Sequence, residues 1–206
     1  MLLPGSDLHG ATRVGEGAEI GPQTTLTDTV VGPRSRVERC VAKQTHLGAD
    51  VTVGPFAYLR PGTVLADGVH VGTYVEIKNS EVGTGSKVPH LTYMGDATVG
   101  EHSNIGAATV FVNYDGVEKH RSVVGDHVRI GSDTMIIAPR EIGDGAYTAA
   151  GSVITADVPP GAMAVARAHQ RNVTGWVQRK RSGTAAAEAA ARALGRTGAD
   201  GEEGPR

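Results

Sequence analysis

Aromatic side chains are scarce, with Phe, Tyr and Trp making up only 4% of 206 residues. That excludes a conventional core of large rings and points to small β-branched residues packed against turns. Cysteine is nearly absent as well. A lone Cys40 rules out an intrachain disulfide framework and fits a reducing, cytoplasmic setting. No apolar run approaches the roughly 18 residues of a membrane span, and Met1-Leu2-Leu3-Pro4-Gly5 lacks the basic and apolar regions of a secretory leader. Charge bias is missing too. Twenty Lys and Arg against 22 Asp and Glu give a formal net charge of -2, which argues against a nucleic-acid or membrane footprint. The expectation is a soluble cytoplasmic chain.

What the sequence has in quantity is glycine, 29 residues, and much of it comes on a beat. Leu8, Val14, Ile20 and Leu26 are six apart, and the series continues through Val31, Val37, Leu47, Val53, Leu59, Leu65, Val71, Ile77, Val82 and Val88. It resumes at Val99, Ile105, Val124, Ile130, Ile136 and Ile142. Glycine often follows directly: Gly15, Gly21, Gly32, Gly48, Gly54, Gly72, Gly83, Gly100, Gly106, Gly125, Gly131 and Gly143. Six is not a multiple of 3.6, so a helix would scatter these aliphatics over every face. A short extended segment followed by a turn places one residue inward per segment, with glycine expected to relieve corners where φ is positive. Three segments make one coil of a triangular prism, the hexapeptide parallel β-helix.

The beat breaks in identifiable places. It loosens near Cys40. From Lys87 to Ala97 the glycines thin out while His90, Tyr93 and Asp96 appear together. From Ala107 to Val123 a charged segment with the turn signal Asn113-Tyr114-Asp115-Gly116 is expected to form an extruded loop. Pro159-Pro160-Gly161 is expected to end the coils. The division expected is therefore a β-helix over residues 1–161, an irregular arm over 162–181 containing Trp176, and a tail over 182–206. That tail holds an Ala-rich marginal helix stopped by Gly195, and Thr197 to Arg206 are Gly- and Glu-rich, as in a disordered segment.

Two features carry chemistry on their own. His90 lies at a break in the repeat, and an imidazole titrates near neutrality, as a general base requires. Arg60 and Lys78 are 18 residues apart, one full coil, so they stack on one face where they could grip a sugar phosphate. Each also has an ordinary reading, as a surface histidine and as solvated charges.

Longer motifs decide between these. Val53 to Gly62, Val75-Glu76-Ile77-Lys78-Asn79, Pro89 to Ala97, Asn104-Ile105-Gly106-Ala107, Asn113 to Gly116, Gly131-Ser132-Asp133-Thr134 and Ala149-Ala150-Gly151 closely resemble one family. It is the bifunctional N-acetylglucosamine-1-phosphate uridyltransferase/glucosamine-1-phosphate N-acetyltransferase of bacterial cell-wall precursor synthesis. The resemblance runs from about Leu3 to Arg181 and falls within the C-terminal acetyltransferase domain. Nothing resembles the N-terminal nucleotidyltransferase domain, so no uridyltransferase activity is expected of this chain.

The resemblance implies a left-handed prism, a homotrimer with sites between subunits, and acetyl-CoA as co-substrate without a metal. His90 aligns with the catalytic base. Arg60, Lys78, Tyr93 and Asn104 align with acceptor contacts, the first two at its phosphate. Ala107, Asn113, Tyr114, Ser132, Ala150 and Arg167 align with acetyl-CoA contacts. Asn113 and nearby amides would steady developing charges, and Trp176 would cover the coenzyme or cap the prism's end. Ala108 departs from the usual glycine or serine, and His169 from the usual proline. Alternatives are an acetyltransferase of the same fold acting on another amino sugar, or a trimeric remnant without activity. A γ-class carbonic anhydrase ranks last, since His90, His102, His120 and His127 lack its spacing.

Overall fold

The computed structural model describes residues 1–199. Met1–Arg167 form one compact unit, and a second begins at Ala168. The first unit is built from three parallel sheets of nine, eight and nine strands, each strand bonded to the one a full coil away. Registers such as Leu8↔Leu26 and Leu59↔Ile77 stack like on like. The result is a left-handed parallel β-helix of about nine turns. The strand Asp7–His9 opens the first face, Arg13–Val14 the second and Glu19–Ile20 the third.

The six-residue beat supplies the inward column. Ile20, Leu47, Leu59, Ile77, Ile105, Ile136 and Ile142 have no measurable exposure. Leu8, in the first coil, is 38% exposed because packing reaches it from one side only. Corner hydroxyls that turn inward bond the coil's carbonyls instead of remaining orphaned: Thr63 Oγ1 donates to the carbonyls of Arg60 (2.8 Å) and Ile77 (3.1 Å).

The apparent breaks are substitutions within the column. Ala42, Met94 and Phe111 occupy inward positions and are fully buried. Strands Tyr93–Gly95 and Val110–Val112 therefore continue the first face, and the extruded loop is shorter than expected. It lies between Val112 and the strand Ser122–Val124. A search for Val, Ile and Leu passes over a methionine or phenylalanine doing the same work.

The glycine expectation also needs correcting. Of the twelve beat glycines only Gly21 and Gly54 have positive φ. At the other ten an added Cβ would fall within 3.0 Å of the adjoining coil, so these glycines let neighbouring coils approach. The left-handed corners belong to other residues, including Phe56, Tyr74, Leu91, Ala108 and Asp133.

At the far end the coils outlast Pro159-Pro160-Gly161. The strand Met163–Ala164 still pairs with Tyr147–Thr148, because the prolines sit in the turn and take no place in the ladder. In the second unit the helix Trp176–Lys180 starts at the ring of Trp176, with the Arg181 guanidinium 5.1 Å from its centroid. The helix Ala185–Ala199 runs through Gly195 instead of stopping there and takes in Thr197. Glycine within an exposed helix costs about 1 kcal/mol without blocking helical geometry. The rest of the tail, residues 200–206, lies outside the described residues.

Candidate functional site

Two corners border the first face, and each carries part of the site. At the corner between the first and second faces, register stacks Lys78 against Gly95, and the backbone N–H of Arg60, one coil below Lys78, donates to the Ile77 carbonyl. Arg60 donates to Glu76 (2.8 Å), and that bond, with the carboxylate's charge, raises its pKa further. The Lys78 ammonium lies 3.5 Å from Asp96 Oδ2. Asp96 is buried, at 7% exposure, and accepts from the carboxamide nitrogens of Asn79 and Asn113. Burial pushes its pKa up, yet the two amide donors and the Lys78 ammonium outweigh burial and hold it below the usual carboxylate range.

The loop returns to this corner. Asp115 caps its tip, accepting from the N–H groups of Val117 (2.8 Å) and Glu118 (2.7 Å) and pairing with His120 (2.7 Å). These bonds hold its carboxyl far below the ordinary value. The resulting bridge between Tyr114 and Lys119 brings the Lys119 ammonium near Lys78, whose like charge lowers the pKa of Lys119. Arg121 fastens the loop's end to the carbonyls of Ala97 (3.0 Å) and Asn79 (2.8 Å). Above Gly95 there is no space for a side chain: a Cβ would sit 2.6 Å from Tyr93 Oη and 2.5 Å from Asn113 Nδ2. Arg60, Lys78, Tyr93, Asn113 and Lys119 thus gather at one place. Three cations face two carboxylates, a balance that a bound anion would improve.

The corner between the third and first faces carries the rest. His90 ends the strand Lys87–His90, is exposed, and pairs in register with Thr73. Its carbonyl accepts from Ala108 N–H (3.1 Å), that of Ala107 from Asp133 N–H (2.7 Å), and that of Ser132 from Gly151 N–H (2.9 Å). The stem of Arg167 passes beside Gly151, with Cδ 3.8 Å from a Cβ built there. His90, Ala107, Ser132, Ala150 and Arg167 therefore form one vertical edge, rising about 19 Å over four steps of about 4.8 Å.

Not everything converges. His90 and the cation cluster stand at opposite ends of the first face, separated by the strand Tyr93–Gly95. Asn104 lies on the third face beside Lys87 and Arg129. Sequence reading assigned no role to Asp96, Glu76 or Lys119. Asp96 stood in the irregular stretch as a signal, whereas Lys119 looked like an ordinary charge at a loop tip. Among the described residues no group of three or more His, Cys, Asp or Glu could hold a metal ion. No described helix is long and apolar enough to cross a membrane.

Comparison with known proteins places this geometry. The bacterial transferase hexapeptide (six repeats) family matches residues 44–79 and 121–156. The bifunctional protein GlmU of Streptomyces avermitilis is 63% identical over 190 residues, 92% of this chain and 39% of that protein. GlmU of Mycobacterium leprae is 58% identical over 203 residues, 98% of this chain and 41% of that protein. The chain thus spans about two-fifths of the length of the curated relatives it matches. Among solved structures, the UDP-N-acetylglucosamine acyltransferase LpxA of Bacteroides fragilis aligns with a TM-score of 0.57 at 17% identity, covering 94% of this chain and 83% of that one. A GDP-perosamine N-acetyltransferase from Caulobacter crescentus, in complex with CoA and GDP-perosamine, aligns with a TM-score of 0.50 at 23% identity over 56% of this chain and 52% of that one. With hexapeptide coils throughout its first unit and such identity along nearly all its length, the chain corresponds to the C-terminal acetyltransferase domain of the GlmU proteins.

Proposed function

We propose that this chain transfers an acetyl group from acetyl-CoA to the amine of α-D-glucosamine 1-phosphate, giving N-acetyl-α-D-glucosamine 1-phosphate and coenzyme A. The observation that carries the reading is the Arg60–Lys78 pair, held by the carboxylates of Glu76 and Asp96, with Lys119 brought near them by the loop. Cations fixed this closely suit an acceptor that brings its own dianion. Identity to the GlmU proteins supports the same acceptor.

The acetyl donor lies along the edge above His90, its thioester at the His90 end, against the backbone of Ala107, Ser132 and Ala150. Arg167 meets a coenzyme phosphate, and Tyr114 lines the donor from the loop. His90 takes the proton from the ammonium, and the freed amine attacks the thioester carbonyl directly. Positioned bases of this kind contribute about 10²–10⁴ in rate. Arg60, Lys78 and Lys119 grip the phosphate, while Tyr93 and Asn104 contact the sugar.

A homotrimer is part of the proposal. Asn104 and His90 belong to one face or its edge, and the cation cluster belongs to the far edge of another. A threefold arrangement brings the third face of one subunit to the first face of the next and closes both sets around one acceptor. Release of coenzyme A, followed with a thiol reagent, tests the reading on glucosamine 1-phosphate, glucosamine and a panel of other amino sugars. Turnover should require the 1-phosphate, and His90→Ala should lower kcat by at least about 100-fold. Preference for an unphosphorylated amine, or a His90→Ala rate near wild type, would refute it.

A further inference from the structure

Asp96 takes no part in the chemistry just outlined, yet Lys78, on which that chemistry relies, and Asn113, which aligns with the acetyl-CoA contacts, both lean on it. Its Oδ2 atom accepts from Asn113 Nδ2 and lies 3.5 Å from the Lys78 ammonium, while Oδ1 accepts from Asn79. The residue is fixed from both neighbouring coils. Its N–H donates to the Lys78 carbonyl (3.0 Å), and its carbonyl accepts from Ser122 N–H (3.1 Å). Asn79 is itself gripped: its carbonyl accepts from Arg121, and its N–H donates to Pro61.

An ionised carboxylate can only accept hydrogen bonds, so a carboxamide beside it has one stable orientation. The nitrogen of Asn113 must face Asp96, and its carbonyl oxygen must face away. Among the described residues no side-chain or backbone donor meets that oxygen, which leaves it available to a ligand. A neutral residue at position 96 would lose this discrimination and let the amide turn.

We propose that Asp96 is a positioning residue of the acetyl transfer, orienting the Asn113 carboxamide and anchoring Lys78 so that both present one fixed geometry to the reactants. The proposal rests on the N-acetyltransferase reading above. It assigns Asp96 no contact with substrate, so its whole effect should pass through its neighbours.

Asp96→Asn is a mild probe. It keeps the side-chain size, and asparagine, like aspartate, tolerates the left-handed backbone found here, φ 51°. Coenzyme A release should be measured with glucosamine 1-phosphate for the wild type, Asp96→Asn, Asn113→Ala and the double variant, beside thermal melts. Asp96→Asn should lower kcat by about 10- to 100-fold, the range for sub-ångström misplacement of a reacting group. In the Asn113→Ala background the same change should cost clearly less, by at least about 3-fold, since only the Lys78 contact is left to lose. Equal losses in both backgrounds would overturn the positioning role, as would an Asp96→Asn enzyme within about 2-fold of wild type. A wild-type chain that turned over no glucosamine 1-phosphate would instead overturn the acetyltransferase reading, and this proposal with it. If Asp96→Asn melts too low to assay, the swap Asp96→Asn/Asn113→Asp restores an amide–carboxylate bond with its direction reversed. That swap should remain at least about 10-fold down in kcat. A wild-type kcat would refute the proposal.

Discussion

Replacing Gly95 with alanine would insert one methyl group where the Tyr93 hydroxyl and the Asn113 amide converge. The new Cβ would lie 2.5 Å from Asn113 Nδ2 and 2.6 Å from Tyr93 Oη, about 0.9 and 0.8 Å short of the 3.4 Å at which ordinary contact begins. Gly95 has no positive φ to forbid the substitution, so the effect is purely steric. Asn113 cannot yield easily because Asp96 holds it, and Tyr93 is half-buried. Both polar groups should therefore be displaced by most of an ångström, and misplacement on that scale costs about 100-fold in rate. Overpacking should destabilise the fold by about 1–3 kcal/mol. For a chain of this size that lowers Tm by roughly 2–12 °C, leaving a folded enzyme to assay. The measurement is kcat/KM from coenzyme A release, beside a thermal melt. A folded Gly95→Ala variant within about 3-fold of wild type would show that Tyr93 and Asn113 do not work from the positions seen here.

Two further outcomes concern stability. Ala108 sits at a left-handed corner with φ 59°, so Ala108→Gly should relieve about 1 kcal/mol of backbone strain and raise Tm by about 2–4 °C. An unchanged or lower Tm would mean that the corner carries no such strain. Burial pushes the Cys40 thiol up to about 11. Because its folded pKa lies above the unfolded value of about 8.5, its contribution is whole below that pH and is lost as pH rises through about 11. The amount is about 3 kcal/mol at about 1.4 kcal/mol per unit. Cys40→Ala should flatten the fall of Tm across that alkaline window, and an identical profile would refute the assignment.

Much of the fold was legible because a prism of identical corners writes its period directly into the chain. Each coil needs one inward aliphatic per face, so Leu59, Leu65 and Val71 announce three faces without any long-range information. The same logic stacked Arg60 under Lys78, since residues one coil apart are neighbours by construction. Two of the readings that did not transfer show why. Phe111 and Met94 looked like interruptions because the column accepts any side chain that fills the bore. Glycine after the aliphatic looked like a demand for positive φ, whereas Gly83 and Gly106 stand where the next coil's backbone leaves no room for a Cβ.

The candidate site divides along the same line. Sequence alone determined the prism, the stacking of Arg60 and Lys78, and the irregular stretch around His90, because local period and coil spacing are properties of the chain. Only the tertiary structure decided that His90 heads an edge running past Ala107, Ser132 and Ala150, and that Asp96 binds Asn113 and Lys78 together. It also decided that the loop carries Lys119 back to them. Those pairings join residues whose loop and corner geometry follows no period, so three-dimensional packing alone brings them into contact.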